Sequence, residues 1–462
     1  MSKKINTRIE KDSMGSFEVP AEAYYGANTM RAVVNFPVSS LKFQRSFIKS
    51  LAQIKKAAAL SNLDLGLLDK VVADQIASAA EKVIEGKYDD QFVVDIFQTG
   101  SGTSTNMNIN EVISNLAIEK MDGVIGSKVP VHPNDHVNMG QSSNDVIPTA
   151  IHIAAIDITT KNLLPAIEQL KNSLIQKSEE FMDIVKTGRT HLQDATPITL
   201  GQEFLGFAGQ MDRSNSRIKA ALEGLREVAL GGTAVGTGIN THNEFSNRVC
   251  VYISEWNGQE IRETENHFQS QNTLDAIVYM SGALKTLAVS AIKISNDIRW
   301  LGSGPRAGFG EIELPEVQPG SSIMPGKVNP VIAESTAMAA AQVIGNDLTV
   351  SIAGQSGNFE LNVMMPVAAF NLLQSIELLS TSLSNLANQC VTGIKATDRG
   401  PEMVEKGLAI VTTLVPVIGY DASAAIAKKA QLSGKTIRQI ALEETNIDPS
   451  ELDQILDPSK MV

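Results

Sequence analysis

Residues 274–298 read LDAIVYMSGALKTLAVSAIKISNDI. Within this stretch Leu274, Ile277, Leu284, Leu287, Ala291, Ile294 and Ile298 recur at steps of three, four and seven. That spacing places them on one face of a single helix more than twenty residues long. Leu163, Ile167, Leu170 and Leu174 form a shorter stripe of the same kind. Long stripes also run from Leu200 to Leu230, from Val331 to Ile352 and from Pro366 to Cys390. Five long helices separated by polar loops predict a bundle, and so a mainly α fold. Helices this long are usually apolar on more than one side because they also bury against partner subunits, so an obligate oligomer is expected.

Towards the N-terminus the pattern changes. Residues up to about 45 are polar and interrupted by Gly15, Pro20, Gly26 and Pro37, which predicts irregular structure. Phe47, Leu51, Ile54 and Ala58 mark a helix, and a second is predicted near Val71 to Ile84. Phe97–Asn110 reads as a polar loop leading into a helix, and Gly123–Asn144 as a second loop. Beyond about 395 the helices shorten. Three regions are expected: 1–144, a central long-helix bundle over 145–395, and a small helical domain over 396–462.

Composition narrows the function. Of the 462 residues 43% are hydrophobic and only 5% aromatic, a balance suited to helices packed through small side chains. The formal net charge of −12 argues against a nucleic-acid or anionic-membrane partner, both of which need a basic face. Two cysteines, Cys250 and Cys390, make no disulfide framework. The N-terminus has no apolar segment of a signal peptide, and no uncharged apolar run of 18 residues occurs. A cytoplasmic location is expected.

Two glycine strings invite a nucleotide reading and fail it. Gly232–Gly238 lacks the Lys-Ser/Thr of a phosphate loop, and Gly302–Ala307 follows a long helix instead of a strand. Of the six histidines, none forms H-E-x-x-H; His132 and His136 are four apart, but Pro133 between them disfavours a helical metal pair. No metal or other cofactor is expected.

Chemistry concentrates in polar segments. These are Thr99-Gly100-Ser101-Gly102-Thr103-Ser104-Thr105-Asn106-Met107-Asn108, Gln141-Ser142-Ser143-Asn144-Asp145, Gly188-Arg189-Thr190-His191-Leu192-Gln193-Asp194-Ala195, and Gly320-Ser321-Ser322-Ile323-Met324-Pro325-Gly326-Lys327-Val328-Asn329-Pro330. Singly, such clusters are more often caps or turns. Together they put hydroxyls, amides, one Lys and one His at the ends of long helices, a set suited to a small carboxylic acid.

The last segment resembles the G-S-S-x-M-P-x-K-x-N motif of the fumarase/aspartase superfamily, and the likeness extends from Arg8 to the end of the chain. Thr190–Ala195, Met324–Lys327 and Gly357–Val363 are similar to class II fumarases, whereas aspartases typically have Gln at the position of His191 and Ala at that of Gly326. Ala23–Gly26, Gly102–Ser104 and Arg306–Gly308 lean towards aspartase. The resemblance implies a three-domain subunit, a homotetramer with a twenty-helix core, and active sites each built from three subunits. It implies a cofactor-free hydro-lyase of the tricarboxylic acid cycle that interconverts (S)-malate and fumarate by anti elimination of water.

By the same resemblance Ser321 is the base, and His191, paired with Glu334, is the acid partner. Ser101, Gly102, Thr103, Ser142, Ser143, Asn144, Thr190, Ser322, Lys327, Val328 and Asn329 bind substrate. A serine is a poor base unless its oxyanion is stabilised by backbone N–H groups and a cation such as Lys327. His132-Pro133-Asn134-Asp135 resembles a second dicarboxylate site of fumarases, although Val129 stands where these often carry a basic residue. On the residues alone the same stretch reads equally as a turn with an Asx cap. The alternatives are an aspartate ammonia-lyase and, more distantly, a non-catalytic structural relative.

Overall fold

The computed structural model describes residues 6–462. Its first element is a hairpin, where irregular structure was expected. β1 (Thr7–Asp12) and β2 (Gly15–Pro20) pair antiparallel, from Thr7 opposite Pro20 to Asp12 opposite Gly15. Gly15 takes φ +122° in the turn, a region closed to most side chains, so the breakers lie at the ends of strands instead of replacing them. Periodicity misses the hairpin because polar contacts hold it. Arg8 donates to the carbonyls of Pro20, Ala21 and Ala23, and pairs with the buried Glu10 at 2.6 Å.

α1 (Ala27–Asn35), α2 (Arg45–Asp64), α3 (Lys70–Ile84), α4 (Thr103–Lys120) and α5 (Ser143–Ile158) follow. Next come α6 (Leu164–Glu180), a second hairpin of β3 (Val185–Thr190) and β4 (Gln193–Thr199), and α7 (Leu200–Leu225). α8 (Phe245–Asn257) and α9 (His267–Asn272) are short; α10 (Asp275–Leu301), α11 (Val331–Gly354) and α12 (Met365–Gln389) are long. The chain ends in α13 (Arg399–Val404), α14 (Val415–Ile418), α15 (Tyr420–Ser433), α16 (Ile437–Glu444) and α17 (Pro449–Ile455). The fold is mainly α: strands among the described residues pair only two at a time.

The stripe that predicts α10 is buried at all seven positions, and so are Leu163, Ile167, Leu170 and Leu174 at α6 and Phe47, Leu51, Ile54 and Ala58 on α2. By length and composition α10 could also cross a membrane. Its Lys285, however, pairs with the buried Asp347 at 2.6 Å, and half of its apolar window is covered by protein.

By contact the chain makes two compact units, each drawn from three stretches. One comprises the chain up to Pro165, Ser216–Ala288 and Ala341–Ser380. In it α2 packs on α3, α4, α5 and α8, so the N-termini of α4 and α5 rest on a rigid layer. The other comprises Ala166–Asn215, Val289–Ala340 and the chain from Thr381. It carries the hairpin β3–β4, the loop from Glu313 to Val331, and the C-terminal helices. These helices close around their own apolar centre, including Leu414, Ile437, Ile440 and Leu452.

Candidate active site

In the first unit, two helix N-termini bring hydroxyls together. Thr103 opens α4 and Ser143 opens α5, and their hydroxyl oxygens are 2.6 Å apart. Ser101 joins the chain at 2.9 Å from Thr103. Gly102, at φ +74°, is the N-cap of α4 and turns the backbone into that helix. Ser142 caps α5 through a reciprocal box: its Oγ accepts from Asn144 N, and Asp145 Oδ1 accepts from Ser142 N at 2.9 Å. Asn144 Nδ2 donates to the carbonyl of Ala234 at 2.8 Å, which fixes the direction of its amide. Helix N-termini carry partial positive charge and unpaired N–H groups, so this cradle suits an anion.

Asp145 also explains the Gly232–Gly238 string. Its other oxygen accepts from Gly231 N at 3.1 Å and Thr233 N at 2.9 Å, so the glycine-rich loop is folded onto α5. Burial pushes the Asp145 carboxyl up to about 6. Sequence reasoning gave this residue no role, because a carboxylate inside a cap motif gives no sign of what its second oxygen reaches.

In the second unit, Ser321 Oγ accepts from Met324 N at 2.9 Å and from Ile323 N at 3.2 Å. The loop neck is closed by Gly320 N donating to Lys327 O at 2.8 Å and by Asn329 Nδ2 donating to Gly320 O at 2.5 Å. Only glycine fits at 320, since an added Cβ would stand 2.4 Å from Lys327 O. Lys327 Nζ donates to Asn329 Oδ1. Ser322 and Val328 are exposed, the first following Ser321 and the second lying between the neck residues Lys327 and Asn329. A cleft of about 460 Å³ beside the neck is lined by Arg299, Lys327, Asn329 and Glu334, among others, so two cations face it. Glu334 sits in the first turn of α11.

His191 is not at the end of a long helix, as its segment was read; it occupies the tip of the β3–β4 hairpin. The sequence alternates β-branched residues there, with Val185, Thr187, Thr196 and Ile198 flanking a two-residue turn. The turn residues His191 and Leu192 have φ of +57° and +59°, as a type I′ turn requires, although neither is the usual Asn or Gly. Holding two such residues there is strain of the kind that collects at functional sites. Thr190 and His191 are exposed, and within the chain His191 has no hydrogen bond or ion pair among the described residues. The hairpin base is held firmly. Arg189 pairs with the buried Glu311 at 2.5 Å and stacks over Phe309 at 4.3 Å, and Lys186 lies 3.2 Å from Glu311 and 2.9 Å from Glu203.

His132–Asp135 forms one wide helical turn, Pro133–Val137, capped by His132, whose Nδ1 accepts from Asn134 N and Asp135 N. The single chain therefore forms the hydroxyl cradle and the serine loop, but makes no ion pair between His191 and Glu334.

A family model described as "Lyase" matches residues 15–345, and one described as "Fumarase C C-terminus" matches 410–462. The chain is 49% identical over 459 residues to a fumarate hydratase class II of Methylorubrum extorquens, covering 99% of this chain and 97% of that one. It is 50% identical over 450 residues to a protein of the same name from Thermosynechococcus vestitus, covering 97% and 96%. The chain belongs to the class II fumarases. The crystal structure of a class II fumarase from Schistosoma mansoni superposes with a TM-score of 0.96 at 40% identity, covering 99% of both chains. As a class II fumarase the chain is a lyase.

Proposed function

We propose that this class II fumarase catalyses the reversible anti elimination of water from (S)-malate to give fumarate, in the cytoplasm and as a step of the tricarboxylic acid cycle. The observation that carries the reading is the pair of backbone N–H groups donating to Ser321 Oγ. Those donors stabilise negative charge on the oxygen, which makes a serine alkoxide available as a base. Ser321 takes the C3 proton, and the resulting carbanion is held as an aci-carboxylate by Lys327 and Asn329. His191 protonates the leaving hydroxyl directly or through water. Glu334 orients the imidazole from a neighbouring subunit, which accounts for the absence of that pair within one chain.

Ser101, Gly102, Thr103, Ser142, Ser143 and Asn144 bind substrate from one subunit, Thr190 and His191 from another, and Ser321, Ser322, Lys327, Val328 and Asn329 from a third. Exposed apolar residues on the long helices support a tetramer: Tyr279 on α10, Met338 and Leu348 on α11, and Leu205 on α7 are each more than half exposed. The division into 1–144, 145–395 and 396–462 belongs to the same reading, and His132–Asp135 is a second dicarboxylate site within it. An ultraviolet assay for fumarate, run with malate and with aspartate, tests the activity. Faster fumarate release from aspartate would overturn it in favour of an ammonia-lyase.

A further inference from the structure

Lys55 lies in the middle of α2, between Ile54 and the run Ala57–Ala59, and is fully buried. Its neighbour Lys56 finds ordinary partners, Glu81 at 2.6 Å and the ring of Trp256. Lys55 has none of this kind: among the described residues it makes no ion pair. Its Nζ donates to Gln141 Oε1 at 2.8 Å and Asn138 Oδ1 at 3.0 Å, which leaves its third N–H without a partner.

Both acceptors are tied to the helix starts that carry the cradle. Gln141 directly precedes Ser142, the N-cap of α5. Asn138 Oδ1 also accepts from Asn106 Nδ2 at 3.2 Å and Asn110 Nδ2 at 3.1 Å, on the first two turns of α4. One ammonium group thus ties together the two helix starts that carry Thr103 and Ser143. A buried ammonium with no carboxylate in contact is costly to keep charged, and the field of Asp145 offsets only part of that cost.

We propose that Lys55 is a buried positioning residue for the cradle at the α4 and α5 N-termini, and that a dicarboxylate bound there supplies its counter-charge, so that binding draws a proton onto Lys55. This rests on the reading of those termini as the dicarboxylate site. Burial pushes the Lys55 ammonium down to about 7, so it is poised between its two states near neutral pH. A dianion close by in a low-dielectric interior favours the charged state.

Several other charges on the elements packed against α2 are already engaged. Asp145 on α5 is the group whose field reaches Lys55, and its oxygens are held by three backbone amides. Asp157 on α5 is taken by Lys49 and Lys161, and His152 by the carbonyl of Glu227. Glu111 on α4 accepts from Gly26, Asn28 and Thr29, and Glu81 on α3 from Lys56. His132 and His136 are joined through a backbone N–H, and Tyr252 on α8 donates to Asp64.

The test is calorimetric titration of the assembled protein with succinate, a four-carbon dicarboxylate with no leaving group, in buffers of different ionisation enthalpy. At pH 7 the wild type should take up about half a proton on binding. Between pH 8 and 9 its affinity should fall about tenfold. Lys55→Met should bind about tenfold more weakly at pH 7, with no fall between pH 8 and 9, and its KM for malate should rise more than its kcat drops. Equal slopes in wild type and a folded Lys55→Met would overturn the role of Lys55. Should the variant fail to assemble, the wild-type slope decides, because ordinary imidazoles are already neutral above pH 8 and a flat affinity there would exclude Lys55. A wild type that binds no succinate fails the reading of the cradle; one that binds without proton uptake fails the role of Lys55 alone.

Discussion

Arg189, two residues before His191, donates to the buried Glu311 carboxylate, which stands ten residues before Ser321. One ion pair thus braces the base of the imidazole-bearing hairpin against the segment that leads into the serine loop. Lys186, also buried, shares the same carboxylate. Arg189 has Glu311 as its ion-pair partner and Lys186 divides itself between Glu311 and Glu203, so the hairpin tip inherits its position from carboxylates remote from the reacting atoms.

Glu311→Ala should therefore be costly. It releases Arg189 and leaves Lys186 to Glu203 alone, and breaking a buried pair from one side costs about 3–5 kcal/mol. Thermal denaturation should show a drop in Tm of several degrees. A stability within experimental error of wild type would show that the network is solvated and does not brace the hairpin.

Ser321→Ala and His191→Asn separate base from acid. Each should lower kcat by about 10²- to 10⁴-fold, with a much smaller change in KM because Lys327 and Asn329 remain. Exchange of the malate C3 proton with solvent deuterium, followed by NMR, tells them apart. His191→Asn should retain exchange without elimination when the abstracted proton escapes, and Ser321→Ala should show neither. Exchange that persists in Ser321→Ala would assign the base to another group.

Gly320→Ala tests the neck of the serine loop. The new methyl would meet Lys327 O at 2.4 Å, so the neck must open and the amides around Ser321 Oγ must shift. Misplaced reacting groups cost about 10²-fold in rate. The loop is largely exposed, so the Tm should move little, by about 0.5 kcal/mol or less in stability terms. Full activity in Gly320→Ala would mean that the closed neck is dispensable.

Dilution tests the shared site. If Glu334 reaches His191 only across a subunit boundary, activity and tetramer should disappear together in sedimentation and kinetic measurements over the same concentration range. An active monomer would place every catalytic contact within one chain.

The long helices were legible in the sequence, because a repeat near 3.6 residues records which side of each is buried: the stripe from Leu274 to Ile298 is covered at every position it marks, whereas the short α1 lay in a stretch read as irregular. The sequence also marked the serine loop and the helix-start hydroxyls, whose chemistry is local to short segments. The β1–β2 hairpin escaped it, since that element is held by Arg8 reaching carbonyls up to seventeen residues away instead of by an apolar face. The hairpin under His191 escaped it too, because polar motif residues mask its β-branched alternation. Lys55, Asp145 and Glu311 became visible only in three dimensions. A buried charge is defined by what surrounds it, and partners such as Asn138 for Lys55, Gly231 for Asp145 and Arg189 for Glu311 lie more than eighty residues away in the chain.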